Sequence, residues 1–224
     1  MAVMVLGMVG QLVGSVLRGM GRPYDGARSG GTTSARLTVA IMFTDLEAFT
    51  ALTERLGDDR AQEVLRTHRA LVRTQLRNHG GVEVKTQGDG FMVAFTSARA
   101  ALACAVGIQR AATDPPCPSG GERVRVRIGV HVGEAIREAG DFFGRTVVVA
   151  ARIGAAAGGG EILVSEETRD ATRDRGFAFD HGHECVLKGI SAVQRVFAVR
   201  WAPAPQPEPC DLALPDATAA FVVG

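Results

Sequence analysis

The sequence predicts an α+β protein whose core is a ferredoxin-like β-α-β-β-α-β sheet with helices packed on it, and three observations support this prediction. Short segments alternate between apolar and polar residues, which is typical of half-buried strands. Longer segments place apolar residues at helical spacing, which is typical of helices that cover a sheet. The segments follow one another in the order of the ferredoxin-like fold, and a C-terminal strand and helix subdomain extends it.

The individual elements are predicted from local patterns along the chain. Alternation over residues 37–43 indicates the first strand, and helical spacing then continues until Gly80 and Gly81 end it. The turn 87–90, Gln-Gly-Asp-Gly, separates two short apolar strands, because glycine adopts the positive φ that tight turns need. The predicted elements are strand 37–43, helical region 49–76, strands 82–86 and 91–95, helix 97–112, strand 124–132, helix 146–157, strand 161–165, helix 166–172, and strands near 177–187 and 196–200.

Composition restricts the class of protein. The chain has 224 residues, 46% of them hydrophobic, and a formal net charge of +1. The apolar fraction suits a folded domain rather than a disordered chain, and the near-neutral charge argues against a nucleic-acid partner. Its four cysteines stand far apart without a C-x-x-C pair, so neither a disulfide framework nor a structural zinc site is predicted. A reducing compartment, the cytoplasm, is the simpler interpretation.

The folded unit is predicted to span residues 35–201, with a tail at each end. Residues 1–34 form an apolar segment and a linker, and residues 202–224 form a Pro-rich tail. Residues 2–17 carry no charge but fall short of the roughly 20 residues needed to cross a bilayer. Two interpretations stay open: a marginal membrane helix that attaches the domain to the inner face of the membrane, or a packing N-terminal helix.

Two acidic residues are brought together by the predicted topology. The ferredoxin-like order places the first strand beside the third, antiparallel, so Asp45 at the end of the first strand meets Asp89 just before the third. Each residue alone has an ordinary explanation, a helix N-cap for Asp45 and a hairpin turn for Asp89. Placed together, two carboxylates can bind a divalent cation such as Mg²⁺, which prefers oxygen ligands.

Five motifs carry a resemblance to a known family. The chain resembles the class III nucleotidyl cyclase catalytic domain over about residues 35–201, with the motifs in the family's order and spacing. They are IMFTDLEAFT (41–50), VKTQGDGFMVAF (84–95), RIGVHVG (127–133), DFFG (141–144) with AARI (150–153), and LKG (187–189). One such motif alone is weak, whereas five in register are a strong indication.

The resemblance implies an adenylate cyclase that converts ATP to 3′,5′-cyclic AMP and pyrophosphate. Asp45 and Asp89 match the acids that hold two Mg²⁺ or Mn²⁺ ions, with the carbonyl of Leu46 as a further ligand. In two-metal chemistry one ion acidifies the attacking hydroxyl, here the ribose 3′-hydroxyl, and the other clamps the phosphates.

The resemblance also assigns the residues that bind the nucleotide. Lys85 and Asp141 match the pair that reads the base. A lysine can donate to adenine N1 and an aspartate can accept from its 6-amino group, whereas guanine presents the opposite pattern, so this pair favours ATP over GTP. Arg152 matches the arginine that stabilises charge on the α-phosphate in the transition state. Lys188 matches a lysine that reaches the triphosphate.

One position departs from the family pattern. Val148 stands where the family usually has an asparagine that binds the ribose, four residues before Arg152. Loss of one preorganised donor can cost about 10²–10³-fold in rate. Gln87 and Arg145 are candidate substitutes. The alternative function is therefore a degenerate cyclase-like module that binds nucleotide or a partner without turnover, and a guanylate cyclase is a third.

The resemblance finally implies a homodimer. In the family the metal-binding acids of one chain face the base-reading and transition-state residues of the other. This chain carries both sets, so a head-to-tail dimer with two equivalent shared sites is expected, and an isolated chain would be inactive.

Overall fold

The structure is a computed structural model that describes residues 34–113 and 124–201. The expectations for the N-terminal segment and for the C-terminal tail lie outside these residues. None of the helices within the described ranges is long and apolar enough to cross a membrane.

The described residues form eight strands and five helices. In chain order they are β1 (Ala35–Leu46), α1 (Phe49–Leu56), α2 (Asp58–His79), β2 (Val82–Gln87), β3 (Gly90–Phe95), α3 (Ala98–Thr113), β4 (Val126–Glu138), β5 (Asp141–Phe143), α4 (Arg145–Ala156), β6 (Ile162–Ser165), α5 (Glu166–Ala171), β7 (His183–Cys185) and β8 (Gln194–Ala198).

All eight strands belong to one sheet, in the order β2-β3-β1-β4-β6-β8-β7, with β5 paired to β4. Strand β1 is central and runs antiparallel to both β3 and β4. The first four strands therefore have the predicted ferredoxin-like arrangement. Strand β6 adds to β4 in parallel, and β8 and β7 continue the sheet, which gives the predicted C-terminal extension.

The two faces of the sheet are covered by different helices. Successive side chains of a strand point to opposite faces. In β1, Met42 packs into the cluster that includes α2 and α3, whereas Ile41 and Phe43 pack into the cluster that includes α4. Asp45 follows Phe43 by two residues and therefore lies on the α4 face, at the end of the strand.

The predicted helical region 49–76 is two helices rather than one continuous element. Gly57 separates α1 from α2 with a φ of 76°, a conformation that favours glycine. Apolar spacing continues across this break, so the spacing alone gave no sign of it. Strand β4 is longer than predicted and forms a hairpin with β5, and only His183–Cys185 of the segment 177–187 forms a strand, with a single bridge at Phe179.

Helix α4 lies unusually close to the sheet because two glycines meet. A Cβ atom placed on Gly129 of β4 would lie only 2.1 Å from the backbone nitrogen of Gly154 in α4. The absence of both side chains lets the helix backbone touch the strand backbone. This contact fixes the position of α4, which carries Val148 and Arg152, over the α4 face of the sheet.

Candidate active site

The structure places the two predicted metal-binding acids together. Asp45 ends β1, and Asp89 lies in the turn between β2 and β3. Thr44 stands opposite Phe91 in the antiparallel register, so the end of β1 meets the start of β3. The backbone N–H of Leu46 donates to Oδ2 of Asp89 across 3.0 Å, which ties the turn to β1.

Asp89 is nearly inaccessible to solvent, with 2% of its surface exposed. Burial, together with the negative charge of Asp45 and a hydrogen bond to Asp45, raises the pKa of Asp89 from 3.8 to about 7. The second oxygen, Oδ1, is buried and accepts no hydrogen bond from any described residue. A buried carboxylate oxygen without a donor, beside a second carboxylate, suits a hard divalent cation.

Arg127 binds the other acid. It stands directly opposite Asp45 in the β1–β4 register, and its Nε and Nη2 both donate to Oδ2 of Asp45, the first across 3.1 Å. Only 10% of the Arg127 side chain is exposed. The guanidinium therefore offsets the charge of Asp45 and holds its orientation. The sequence analysis included Arg127 in a motif but gave it no role, because the cross-strand register that pairs it with Asp45 leaves no local signal.

Lys85 and Asp141 form an ion pair. The Nζ of Lys85 in β2 lies 2.6 Å from Oδ2 of Asp141 in β5, and both side chains are about three-quarters buried. The backbone N–H of Phe142 donates to the other oxygen of Asp141 across 2.7 Å. Lys85 stands opposite Met92 in the β2–β3 register, and Met92 packs on the α4 face. The ion pair of Lys85 and Asp141 therefore lies on the same face of the sheet as Asp45.

Arg152 and Lys188 are the remaining predicted site residues. Arg152 is half-buried on α4, and its Nε is buried without a hydrogen-bond partner among the described residues. Lys188 is exposed in the loop between β7 and β8. Within residues 34–113 and 124–201, no hydrogen bond or ion pair joins either residue to Asp45 or Asp89.

Val148 is a core residue in this structure. It is 7% exposed and packs in the apolar cluster of the α4 face, which also contains Phe43, Met92 and Phe142. The candidate substitutes, Gln87 and Arg145, are both exposed. Val148 therefore contributes to the hydrophobic core at this position.

The sequence analysis missed two residues of α2, His68 and Arg69, next to the turn that carries Asp89. His68 is 2% exposed on α2, and burial lowers its pKa to about 4, so the ring is neutral near pH 7. The next residue, Arg69, donates from Nη2 to the carbonyl of Gly88 across 2.5 Å. One sequence signal could have revealed His68: it occupies a buried-face position in the helical pattern, between Leu65 and Val72.

Comparison with known proteins identifies the family. Residues 33–200 match the model of the adenylate and guanylate cyclase catalytic domain. The chain therefore belongs to this family, which agrees with the resemblance that its motifs carry.

Three relatives place the chain within that family. It is 38% identical over 153 residues to an adenylate cyclase of Mycosarcoma maydis, covering 58% of this chain and 6% of that protein. It is 36% identical over 167 residues to an uncharacterized protein of Mycobacterium tuberculosis, covering 75% of this chain and 42% of the relative. A crystal structure of an adenylate/guanylate cyclase/hydrolase from Silicibacter pomeroyi is 34% identical, with a TM-score of 0.67, covering 77% of this chain and 100% of that chain. The chain thus spans less than half the length of both sequence relatives.

The raised pKa of Asp89 predicts how stability depends on pH in the presence of EDTA. The protonated form of Asp89 favours the fold, so this contribution is complete below about pH 4 and is lost as the pH rises through about 7. An asparagine at position 89 does not ionise, so the stability of Asp89→Asn lacks this pH-dependent contribution. We therefore expect the melting temperature of Asp89→Asn to rise relative to that of the wild type between about pH 5 and pH 8. A difference in melting temperature that stays constant over this range would contradict the prediction.

Proposed function

We propose that the protein is an adenylate cyclase that converts ATP to 3′,5′-cyclic AMP and pyrophosphate at sites shared by two copies of the chain. The observation that carries this proposal is the meeting of Asp45 with a buried Asp89 whose Oδ1 accepts no hydrogen bond from the described residues. Membership of the cyclase family supports nucleotidyl cyclisation, and the ion-paired Lys85 and Asp141 support adenine as the base.

Asp45, Asp89 and the carbonyl of Leu46 would hold the divalent cations, Mg²⁺ or Mn²⁺. When bound, these ions would acidify the 3′-hydroxyl of the ribose and neutralise the triphosphate. The chain contributes the geometry: Arg127 fixes Oδ2 of Asp45, and the N–H of Leu46 fixes Oδ2 of Asp89. Oδ2 of each carboxylate is thereby held by the protein, and Oδ1 of Asp89 accepts no hydrogen bond from the described residues.

Lys85 and Asp141 would select the base. Their ion pair holds both head groups in place before a nucleotide arrives, which lowers the entropy cost of binding. Lys85 donates and Asp141 accepts, which matches N1 and the 6-amino group of adenine. Guanine would set its N1 donor against the lysine and its 6-oxo acceptor against the carboxylate, at the cost of two unpaired polar groups.

Arg152 and Lys188 would act on the phosphates from the opposite chain. A permanently charged guanidinium suits the charge that develops on the α-phosphate while the 3′-oxygen attacks and pyrophosphate leaves. Neither residue contacts the acids of its own chain within the described residues. A head-to-tail homodimer would bring them to the acids of the partner and would complete two equivalent sites.

A second candidate function has its own support. The buried Val148 offers no donor to a ribose, and its side chain belongs to the apolar cluster of the α4 face. A domain that binds nucleotide through Lys85 and Asp141 but turns it over poorly would serve as a regulatory module. Direct assays of turnover distinguish the two candidates.

We expect the purified full chain to form cyclic AMP from ATP with Mn²⁺ or Mg²⁺, and to form less cyclic GMP from GTP under the same conditions. Asp89→Asn should lower turnover by on the order of 10³-fold, because it removes several kcal/mol of cation binding. Asp174→Asn, at an exposed turn with φ 62°, is the matched control and should retain full activity. Equal product from Asp89→Asn would reject the metal assignment, and higher turnover of GTP would reject the choice of base.

Val148→Asn should raise turnover by about 10²-fold if the missing donor limits the rate. The amide replaces an apolar side chain in the core, so the free energy of unfolding should fall by about 1–3 kcal/mol. Val148→Ala removes apolar contacts without adding a donor and should lower stability without a gain in turnover. If Val148→Asn binds ATP and still forms no product, the regulatory module is the better account.

A tagged heterodimer tests the shared site. Pairing Asp89→Asn with Arg152→Ala leaves one of two sites with all its residues, so turnover should be about half that of the wild-type dimer. Pairing Asp45→Asn with Asp89→Asn damages the acids of both sites and should abolish turnover. Loss of activity in both heterodimers alike would mean that each site is built from a single chain.

A further inference from the structure

Helix α2 holds the turn that carries Asp89. Arg69 is half-buried on α2, and its Nη2 donates to the carbonyl of Gly88 across 2.5 Å. Gly88 has a φ of 61°, and Asp89 follows it directly. The hydrogen bond from Arg69 therefore holds the peptide group that joins Gly88 to Asp89.

His68 anchors the same part of α2 against β3. Its ring meets the ring of Phe91 edge to face, with centroids 6.0 Å apart and planes at 72°. Leu65 and Val72, one turn on either side, are also buried. Because these contacts pack α2 firmly against the sheet, the backbone that carries Arg69 is held in place beside the turn.

The turn needs such support because its Asp89 lies beside Asp45 at the end of β1, and two ionised carboxylates repel each other. Asp89 is 2% exposed and the side chain of Asp45 is 15% exposed, so water screens their charges poorly. The N–H of Leu46 holds the Asp89 side chain from the β1 side, whereas Arg69 holds the preceding carbonyl from the α2 side.

We propose that Arg69 is a positioning residue of the cation site, which it serves by fixing the Gly88 carbonyl so that Oδ1 of Asp89 faces the cation. The inference rests on the proposed function, because it assumes that Asp45 and Asp89 bind the metal. Arg69 itself touches neither the cation nor the nucleotide.

The test measures the affinity of the nucleotide-free full chain for Mn²⁺ by electron paramagnetic resonance of the free ion. Arg69→Gln should weaken Mn²⁺ binding about tenfold, as is typical when a group behind a metal ligand is lost. Arg69→Lys keeps a donor and should recover part of the affinity. If Arg69→Gln does not fold, Arg69→Lys is the variant whose Mn²⁺ affinity is compared with that of the wild type. In turnover assays the Mn²⁺ concentration at half-maximal rate should rise about tenfold in Arg69→Gln, while kcat at saturating Mn²⁺ changes less.

Arg73→Gln is the matched control. Arg73 lies one turn further along α2 and forms an exposed ion pair with Glu83 in β2, at 2.8 Å. Its loss should lower the melting temperature in EDTA without weakening Mn²⁺ binding. Wild-type affinity for Mn²⁺ in Arg69→Gln would overturn the inference while leaving the metal site intact. Equal Mn²⁺ binding by the wild type and Asp89→Asn would refute the metal site itself, and the inference with it.

Discussion

The structure depends on an unfavourable contact, the meeting of two carboxylates where β1 ends and β3 begins. Antiparallel pairing of β1 with β3 forces Asp45 and Asp89 together, and burial prevents water from screening them. Burial and the neighbouring Asp45 raise the pKa of Asp89 to about 7, so Asp89 holds a proton at pH values below this. A divalent ion would replace that proton and relieve the repulsion.

Groups from β1, β4 and α2 hold the two acids in place. Arg127 in β4 neutralises and orients Asp45, the N–H of Leu46 binds Asp89, and Arg69 in α2 holds the turn from behind. Oδ2 of each acid is thus constrained by hydrogen-bond donors, and Oδ1 of Asp89 accepts none from the described residues. The pair of Lys85 and Asp141 is assembled separately, from β2 and β5, on the α4 face of the sheet.

The sequence predicted the parts of this arrangement that follow from element order. Alternation and helical spacing indicated a ferredoxin-like sheet, and that topology alone places Asp45 beside Asp89. The contributions of Arg127 and Arg69 were missed, because one depends on cross-strand register and the other on the rotation of a helix about its axis. Val148 was recognised as a departure, but its place in the hydrophobic core emerged only from the packing of α4.

The most direct test of this account is the number of protons released when Mn²⁺ binds to the full chain, measured by titration calorimetry in buffers of different ionisation enthalpy. Near pH 6, where Asp89 is mostly protonated, binding should release close to one proton for each site, and Asp89→Asn should release none. Mn²⁺ binding without proton release, or the same release from Asp89→Asn, would contradict the claim that a cation replaces the proton at this carboxylate.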